Sequence, residues 1–205
     1  MLVDYIFKNK KKGLFVDVGA QHPVSNNNTY LLYKRGWRGI NIDLDIENIK
    51  LHNLARQNDL NLCEAISSKT EEIDMYYYHD KSPINTVEKI VADSQKTKFK
   101  QIKKIKTTTL NKILDANDIK HINYLNIDVE GHEIHVLKGL DLTKHKPDVI
   151  SVEYLDLAMK KLEFKNNNID NVLNSTLYKY MIQNNYSLVN WNHADLIFVS
   201  DSFRD

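Results

Sequence analysis

The stretch "LFVDVGAQHP", residues 14–23, decides the fold of this chain. Its first five residues are apolar apart from Asp17, and this short run predicts a buried strand. Gly19 ends the strand, and polar residues with Pro23 follow, which is typical of a tight turn between a strand and a helix. The stretch raises two questions: why a buried strand carries a carboxylate, and why one glycine is enough at its end.

The composition limits the classes of protein that the chain can belong to. With 205 residues, 42% of them hydrophobic, it can bury one substantial core. A net charge of +1 argues against binding to nucleic acid, which requires many basic residues. The single cysteine, Cys63, excludes an intrachain disulfide. No apolar run is long enough to span a membrane, and the N-terminal segment lacks the order of a secretory signal, so we expect a soluble, cytoplasmic protein.

Strands and helices alternate along the first third of the chain. Strands are predicted at 14–18, 39–44 and 61–67, and the connecting segments, 29–34 and 45–60, have helical spacing and capping residues. Short links between alternating strands and helices require a parallel sheet with right-handed crossovers. We therefore predict an α/β fold.

The remaining chain continues this alternation after a less regular middle section. Further strands are predicted at 72–80, 102–108, 122–129 and 147–154, and helices at 87–96, 109–117, 131–140 and 170–183. Residues 186–192 and 194–200 are predicted to form an antiparallel pair around Asn192 and His193. We expect one domain, 1–205, with an insertion or variable cap at about 72–108.

The residues at the strand ends indicate a ligand that contains a nucleoside. Gly19 lies where ligands bind in a doubly wound sheet, and Asp43 ends the second strand, where an acid can accept bonds from ribose hydroxyls. A dinucleotide site needs G-x-G-x-x-G, but here the register is Gly19, Gln21, Val24. S-adenosylmethionine has a ribose and no phosphate, and Asp17 could bind its ammonium group. A tight turn without a ligand is the alternative interpretation.

Two longer blocks resemble a known family. "FVDVGAQHPVSNNNTYLLYKRGWRGINID" (15–43) and "YLNIDVEGHEIHVLKGLD" (124–141) are similar to the FkbM family of S-adenosylmethionine-dependent methyltransferases, and "SPINT" (82–86) is similar to a further family element. The resemblance covers about 13–155. It implies a Rossmann-like class I methyltransferase fold: a seven-stranded, mostly parallel sheet with an antiparallel last strand and helices on both faces. It also implies O-methylation, often of a sugar or polyketide hydroxyl.

The resemblance also implies the cofactor site. The loop after the first strand would hold the methionine end, Asp43 the ribose and the end of the third strand the adenine, with Asp128 beside the methyl group. The cofactor residues are then Asp17, Gly19, Ala20, Gln21, Asn28, Asp43, Ala65, Ile66, Ser67 and Asp128. The chain departs from many class I enzymes in having Gln21, His22 and Pro23 in place of a glycine-rich loop.

Methyl transfer to a hydroxyl needs a group that removes the proton. Asp128 and Glu153 end neighbouring predicted strands and would share one crevice, where they could bind Mg²⁺ or another divalent cation, or act without metal as a base. His132 is a further candidate base, because histidine changes charge near neutral pH, although it could also be an ordinary first-turn helix residue. We assign His22, Glu130 and Tyr154 to the substrate.

Three functions remain open from the sequence, and within the first of them a methyltransferase for nucleic acid or protein is a further alternative. The first is an O-methyltransferase for a saccharide or similar small molecule, acting in surface-polysaccharide assembly. The second is a nucleotide-dependent oxidoreductase on a similar sheet, which the missing glycines disfavour. The third is a non-catalytic binding module on the same fold, which the presence of Asp17, Gly19, Asp43 and Asp128 disfavours.

Overall fold

The computed structural model describes residues 2–154, 169–192 and 194–204. The strands are β1 (Leu14–Val18), β2 (Arg38–Asp43), β3 (Leu60–Cys63), β4 (Ala65–Ile66), β5 (Glu72–Tyr77), β6 (Gln101–Thr108), β7 (Tyr124–Ile127), β8 (Val149–Glu153), β9 (Tyr186–Asn192) and β10 (Asp195–Ser200). The helices are α1 (Leu2–Ile6), α2 (Tyr30–Lys34), α3 (Ile46–Ala55), α4 (Lys89–Ser94), α5 (Leu110–Ala116), α6 (Glu133–Lys138), α7 (Leu142–His145), α8 (Ile169–Asn174), α9 (Thr176–Gln183) and α10 (Asp201–Arg204).

Seven strands form the main sheet in the order β3-β2-β1-β7-β8-β10-β9. Neighbouring strands from β3 to β8 are parallel, whereas β10 runs antiparallel to both β8 and β9. The chain order reverses between β1 and β7, which is the switch point where open α/β sheets bind ligands. The predicted fold class, with its antiparallel last strand, is confirmed.

Helices cover both faces of the main sheet. On one face, Val3 of α1 and Leu32 of α2 pack with Phe15 of β1 and Trp37. On the other, Val16 and Val18 of β1 pack against residues of α5, α6 and α9. This alternation along β1 leaves Asp17 on the face of α1 and α2.

A second sheet, in the order β4-β6-β5, stands beside the main one. β4 is parallel to β6, and β5 is antiparallel to it. The segment that we expect to be an insertion, about 72–108, contributes β5, α4 and β6. The predicted strand at 61–67 is wrong as a single element, because the chain leaves β3 for the second sheet at Glu64.

The C-terminal part differs from the prediction in its helices, and α10 (Asp201–Arg204) was not predicted. The helix expected over 170–183 consists of α8 and α9, because the side chain of Ser175 accepts a hydrogen bond from the backbone N–H of Tyr178 and so begins a new helix. The antiparallel pairing of β9 with β10 is confirmed. The predicted turn includes His193, which lies outside the described residues. No helix among the described residues is long and apolar enough to cross a membrane.

Candidate active site

A row of polar side chains crosses the main sheet. Five neighbouring strands each place one polar residue at the same level, and the backbone pairing aligns Asn61, Asn41, Asp17, Asn126 and Ser151. Within the row, the Asn41 amide donates to Asn61 Oδ1 (2.8 Å) and the Asn126 amide donates to Asp17 Oδ1 (2.9 Å). The carboxylate in the buried strand is therefore surrounded by hydrogen-bonding neighbours.

Asp17 also organises the loop that follows β1. Its Oδ2 accepts hydrogen bonds from the Thr29 hydroxyl (2.8 Å) and the Asn27 amide (3.2 Å), and the residue is 1% exposed. The Asn27 amide also donates to the carbonyl of Ala20 (3.0 Å). The buried acid thus holds both ends of the loop, which answers the first question raised by the opening stretch.

A fully buried arginine completes this network. Arg56 donates to the carbonyl of Pro23 (2.6 and 2.9 Å), to Asn27 Oδ1 (2.6 Å) and to the Thr29 hydroxyl (2.7 Å). Its positive charge attracts the carboxylate of Asp17. Since a guanidinium group can donate five hydrogen bonds in a rigid plane, the Arg56 side chain alone holds several groups of the loop that follows β1.

Gly19 is required by a close backbone approach. Its φ is +81°, and a Cβ at this position would lie 1.7 Å from the carbonyl oxygen of Asp128. The next strand end therefore passes directly over Gly19, and no side chain fits. One glycine is enough because the polar network, and not glycine flexibility, shapes the rest of the loop.

One step beyond the polar row, the strand ends carry acids. Side chains two positions apart on a strand share a face, so Asp43, Asp128 and Glu153 follow Asn41, Asn126 and Ser151. Glu153 is paired in register with Asp195 of β10. Gly19 occupies the corresponding position of β1. The acids thus form a second row at the edge of the sheet.

The cleft above the switch point is acidic. Its carboxylates are Asp17, Asp43, Asp45, Glu64, Asp128 and Glu130. None of the described residues that line it is lysine or arginine. The cleft therefore suits a positively charged ligand better than a phosphate.

Most of the predicted site residues line this cleft: Asp17, Gly19, Ala20, Gln21, Asn28, Asp43, Ala65, Ile66, Asp128, Glu130 and His132. Four others lie elsewhere. Ser67 is buried against His132, and exposed His22 accepts hydrogen bonds from the backbone N–H groups of Val24 and Ser25. Glu153 and Tyr154 line a second cleft.

Asp43 connects the ends of β1 and β2. Its Oδ2 accepts from the backbone N–H of Gln21 (2.8 Å), and its Oδ1 accepts from Asp45 N–H (2.7 Å) and the Asn48 amide (3.2 Å). Burial raises the pKa of this carboxyl, although these hydrogen bonds oppose the shift. The side chain is thereby held at the cleft wall with a defined orientation.

Three carboxylates cluster where the cleft ends. Oxygen atoms of Asp128, Glu130 and Glu153 all lie within 4.8 Å of one another. Burial, followed by the charges of neighbouring acids, raises the pKa of Asp128 to about 7, of Glu130 to about 8 and of Glu153 to about 10. A hydrogen bond from protonated Glu153 to Asp128 favours a shared proton. The buried Oε2 of Glu153 accepts no hydrogen bond from an N–H or hydroxyl group in the described part of the chain.

This cluster should make stability depend on pH. The unfolded chain loses these protons near pH 4 and the folded protein only at the raised pKa values, so the free energy of unfolding should fall as the pH rises from 5 to 8. Glutamine at position 153 cannot ionise. We therefore expect the free energy of unfolding of Glu153→Gln to be higher than that of the wild type by roughly 1–3 kcal/mol at pH 8 and equal to it near pH 5. Urea unfolding at both pH values measures this. Glu72→Gln, at an exposed position of β5, is the control, and equal pH dependence in both variants would contradict the shared proton.

His132 belongs to a different set of contacts. Its Nδ1 lies 2.6 Å from Glu88 Oε1 and its Nε2 lies 3.0 Å from the Ser67 hydroxyl. The ring stacks on His135, with centroids 4.5 Å apart and planes inclined by 12°. A metal ion binds in the plane of an imidazole ring, and two nearly parallel planes share no such point. The arrangement therefore suits hydrogen bonding better than a metal shared by these two histidines.

Several residues of the site were missed by the sequence analysis. A signal for two of them exists in the repeated "NID" at 41–43 and 126–128, where each asparagine joins the polar row and each aspartate joins the acid row. Asn27 precedes the predicted helix at 29–34, where an asparagine indicates a helix cap and not a site residue, and Arg56 and Glu88 have no sequence signal. Their roles arise from contacts between segments far apart in the chain.

Comparison with known families agrees with this geometry. Residues 17–180 match the family model described as "Methyltransferase FkbM domain". No curated protein and no solved structure matches the chain. Since the family match covers most of the chain, from the end of β1 to α9, and includes the three acid-bearing strand ends and the acidic cleft, the protein belongs to the FkbM methyltransferase family and is a methyltransferase.

Proposed function

We propose that the acidic cleft binds S-adenosylmethionine and that the methyl group is transferred to a hydroxyl of a saccharide or similar small molecule. The observation that carries the proposal is the acidic lining of the cleft, which has six carboxyl groups and no lysine or arginine among its described residues. Glu130, whose pKa is raised to about 8, adds little to the negative charge at neutral pH. S-adenosylmethionine carries a sulfonium and an ammonium group and no phosphate. A dinucleotide would place two phosphates against these acids at a considerable electrostatic cost.

The cofactor would lie across the ends of β1, β2 and β7. Asp17, Gly19, Ala20, Gln21 and Asn28 would surround the methionine end, Asp43 the ribose, and Ala65 and Ile66 the adenine. Ser67 would support the adenine wall indirectly, through its contact with His132. Asp128 would lie beside the methyl group. This arrangement rests on the lining of the cleft and on the orientation of Asp43.

The carboxylate cluster would remove the hydroxyl proton. S-adenosylmethionine supplies an electrophilic methyl group, and the acceptor oxygen forms the new C–O bond while the C–S bond breaks and its electron pair stays on sulfur. The proton of the hydroxyl goes to Asp128, whose pKa near 7 matches a base that works at neutral pH. Glu153 would hold Asp128 in place through the shared proton.

A divalent cation bound to the carboxylate cluster is a second way to balance the negative charges of Asp128, Glu130 and Glu153. The carboxylates of Asp128, Glu130 and Glu153, the last with its unpartnered Oε2, are the kind of oxygen ligands that Mg²⁺ prefers, and a bound cation would lower the pKa of the acceptor hydroxyl. Asp128 and Glu153 would be its main ligands. We favour the shared proton, because it accounts for the cluster with the residues present.

The experiment is a calorimetric titration with S-adenosylmethionine and S-adenosylhomocysteine, with NADH and NADPH as controls, in Mg²⁺ and in EDTA. We expect micromolar binding of the adenosyl ligands, little dependence on Mg²⁺ and no binding of the dinucleotides. Binding of NADH alone would favour the oxidoreductase. Binding of the adenosyl ligands without methyl transfer to any acceptor would favour a binding module.

The proposed contact between Asp43 and the ribose of the cofactor can be tested by substitution. Asp43→Ala should weaken binding of S-adenosylhomocysteine by roughly 10–100-fold, because the ribose hydroxyls lose a charged acceptor that is worth about 1.5–3 kcal/mol. Glu47→Ala, at the partly exposed start of α3 and outside the cleft lining, is the matched control and should bind like the wild type. Equal affinity in Asp43→Ala would remove Asp43 from the site.

A further inference from the structure

The segment between α1 and β1, residues 8–12, has the sequence KNKKK, and we call it the basic loop. All five of its residues are exposed. No ion pair joins its four lysines to an acid in the part of the chain that the structure describes. Asp4, the acid of the preceding helix, pairs with Arg35 instead (2.7 Å). The basic loop therefore carries four positive charges that no neighbouring acid balances.

Two side chains beneath the basic loop hold its backbone. The Arg35 guanidinium donates hydrogen bonds to the carbonyls of Phe7 (2.5 Å) and Lys8 (3.2 Å). It also donates to the carbonyl of Lys10 (3.2 Å), as does the indole N–H of buried Trp37 (3.1 Å). These carbonyls point into the protein, and the exposed lysine side chains extend into solvent. A partner would meet these charges on an ordered backbone, which lowers the entropic cost of binding.

The basic loop lies at the edge of the main sheet opposite to the acidic cleft. It leads into Leu14, the first residue of β1, whereas the cleft lies beyond the other end of this strand. Exposed Arg38, at the start of β2, adds a positive charge beside it, since the Arg38 backbone N–H donates to the carbonyl of Gly13 (3.2 Å). The small net charge of +1 thus conceals a separation of charge between the two edges.

An exposed aromatic ring lies beside the lysines. Tyr5 of α1 is 64% exposed, and the Lys8 ammonium lies 4.4 Å from the centre of its ring. Val3 and Phe7, two positions away on either side, are buried in the core. The short helix thus turns Tyr5 outward, and this ring and the basic loop form one surface that is positive and partly aromatic.

The other basic stretch of the chain, 96–106, differs because acids lie beside its lysines. In the register of β5 with β6, Glu72 lies opposite Lys106. Asp74 lies opposite Lys104 and forms an ion pair with it (2.6 Å). The basic loop has no such opposing acids, so its positive charge is the less balanced of the two.

We propose that the basic loop binds the surface of a membrane that contains anionic phospholipids. Such a surface is an extended array of negative charge, and each lysine near it strengthens binding roughly fivefold. Tyrosine is enriched at the boundary between membrane and water, where its ring and its hydroxyl meet different surroundings, and Tyr5 has this position beside the lysines. The acidic cleft would face away from the membrane, because like charges repel. The inference does not depend on which ligand the cleft binds.

Nucleic acid is the other polyanion that exposed lysines attract. Proteins that bind it tightly make roughly 6–10 phosphate contacts along the duplex. Four lysines of one short loop, with Arg38 beside them, offer fewer contacts than this. The surface therefore fits a membrane better than a duplex.

The test is sedimentation with sucrose-loaded vesicles of phosphatidylcholine that contain about 30 mol% phosphatidylserine, in about 100 mM NaCl. The variant combines Lys8→Gln, Lys10→Gln, Lys11→Gln and Lys12→Gln. The matched control combines Lys96→Gln, Lys98→Gln, Lys100→Gln and Lys106→Gln, which are exposed positions and change the net charge equally. Vesicles of phosphatidylcholine alone and a short DNA duplex are the comparison ligands.

A second variant protects the test against a change in folding. Lys11→Glu combined with Lys12→Glu removes the same amount of positive charge at two positions whose carbonyls accept no hydrogen bond from Arg35 or Trp37. Circular dichroism and the affinity for S-adenosylhomocysteine should be the same in all of these proteins, because the basic loop lies far along β1 from the acidic cleft.

We expect the wild type and the control to bind the anionic vesicles and not the neutral ones. Binding should fall about tenfold or more in both basic-loop variants, and for the wild type also when NaCl is raised to about 500 mM. Equal loss in the control, equal binding to neutral vesicles or no vesicle binding by the wild type overturns the inference. Tighter binding of the duplex than of the anionic vesicles overturns it in favour of nucleic acid. Failure to bind S-adenosylhomocysteine would overturn the proposed function and leave this inference standing.

Discussion

Gly19→Ala should lower the free energy of unfolding by roughly 2–5 kcal/mol. This range is the sum of the cost of a left-handed backbone conformation for alanine and the cost of an overpacked contact. The new Cβ would meet the carbonyl of Asp128 at 1.7 Å, so β1 and β7 would have to separate at the switch point. Because Asp17 and Asp128 lie on these strands, binding of S-adenosylhomocysteine should be lost as well. Urea unfolding and calorimetry measure the two effects.

Gly36→Ala is the matched control for Gly19→Ala. Gly36 also has a positive φ, +95°, but a Cβ there would have no neighbour within 4 Å among the described residues. We expect the free energy of unfolding of this variant to fall only by the cost of the backbone conformation, about 1–2 kcal/mol, and its affinity for the cofactor to stay unchanged. Equal losses in the two variants would mean that the close approach at the switch point is unimportant.

Asp128→Asn should reduce the rate of methyl transfer by roughly 10²–10⁴-fold, because it removes the proposed base while keeping its shape. The variant should not unfold, since Asp128 lies among the like charges of Asp195, Glu133 and Asp17. The rate of the wild type should rise with pH through about 7, as the carboxyl ionises, and this acidic limb should disappear in the variant. Formation of S-adenosylhomocysteine with a methyl glycoside as acceptor, followed from pH 5 to 9, measures both.

Two other results would assign Asp128 differently. A full rate with the same pH profile would move the proton acceptor to His132, and His132→Ala would then be the variant to test. A loss of cofactor affinity at an unchanged maximal rate would make Asp128 a partner of the sulfonium or ammonium group. Since Asp128 and Glu153 titrate together, the rise of the rate with pH reports the ionisation of both carboxyls. Glu153→Gln should therefore shift the pH at which the rate rises.

The fold and the residues of the acidic cleft were predictable because they depend on short, local patterns. Alternating strands and helices require a parallel sheet, and parallel strands bring their carboxyl ends to one edge. Asp17, Gly19, Asp43 and Asp128 could therefore be placed together from their positions at or near the ends of predicted strands. The split of 61–67 between two sheets could not be predicted, because both halves read as strand and only the pairing partners distinguish them.

The sequence by itself determined the parallel sheet, the position of the switch point and the acids around it, since each follows from apolar periodicity and from a residue at a strand end. Tertiary structure alone decided which side chains touch across long separations. It placed Arg56 against the loop that follows β1 and Glu88 beside His132, and it divided the predicted site between two clefts. The physical reason is that burial and hydrogen bonding are satisfied by whichever polar groups the packed chain brings together, and sequence spacing does not record those distances.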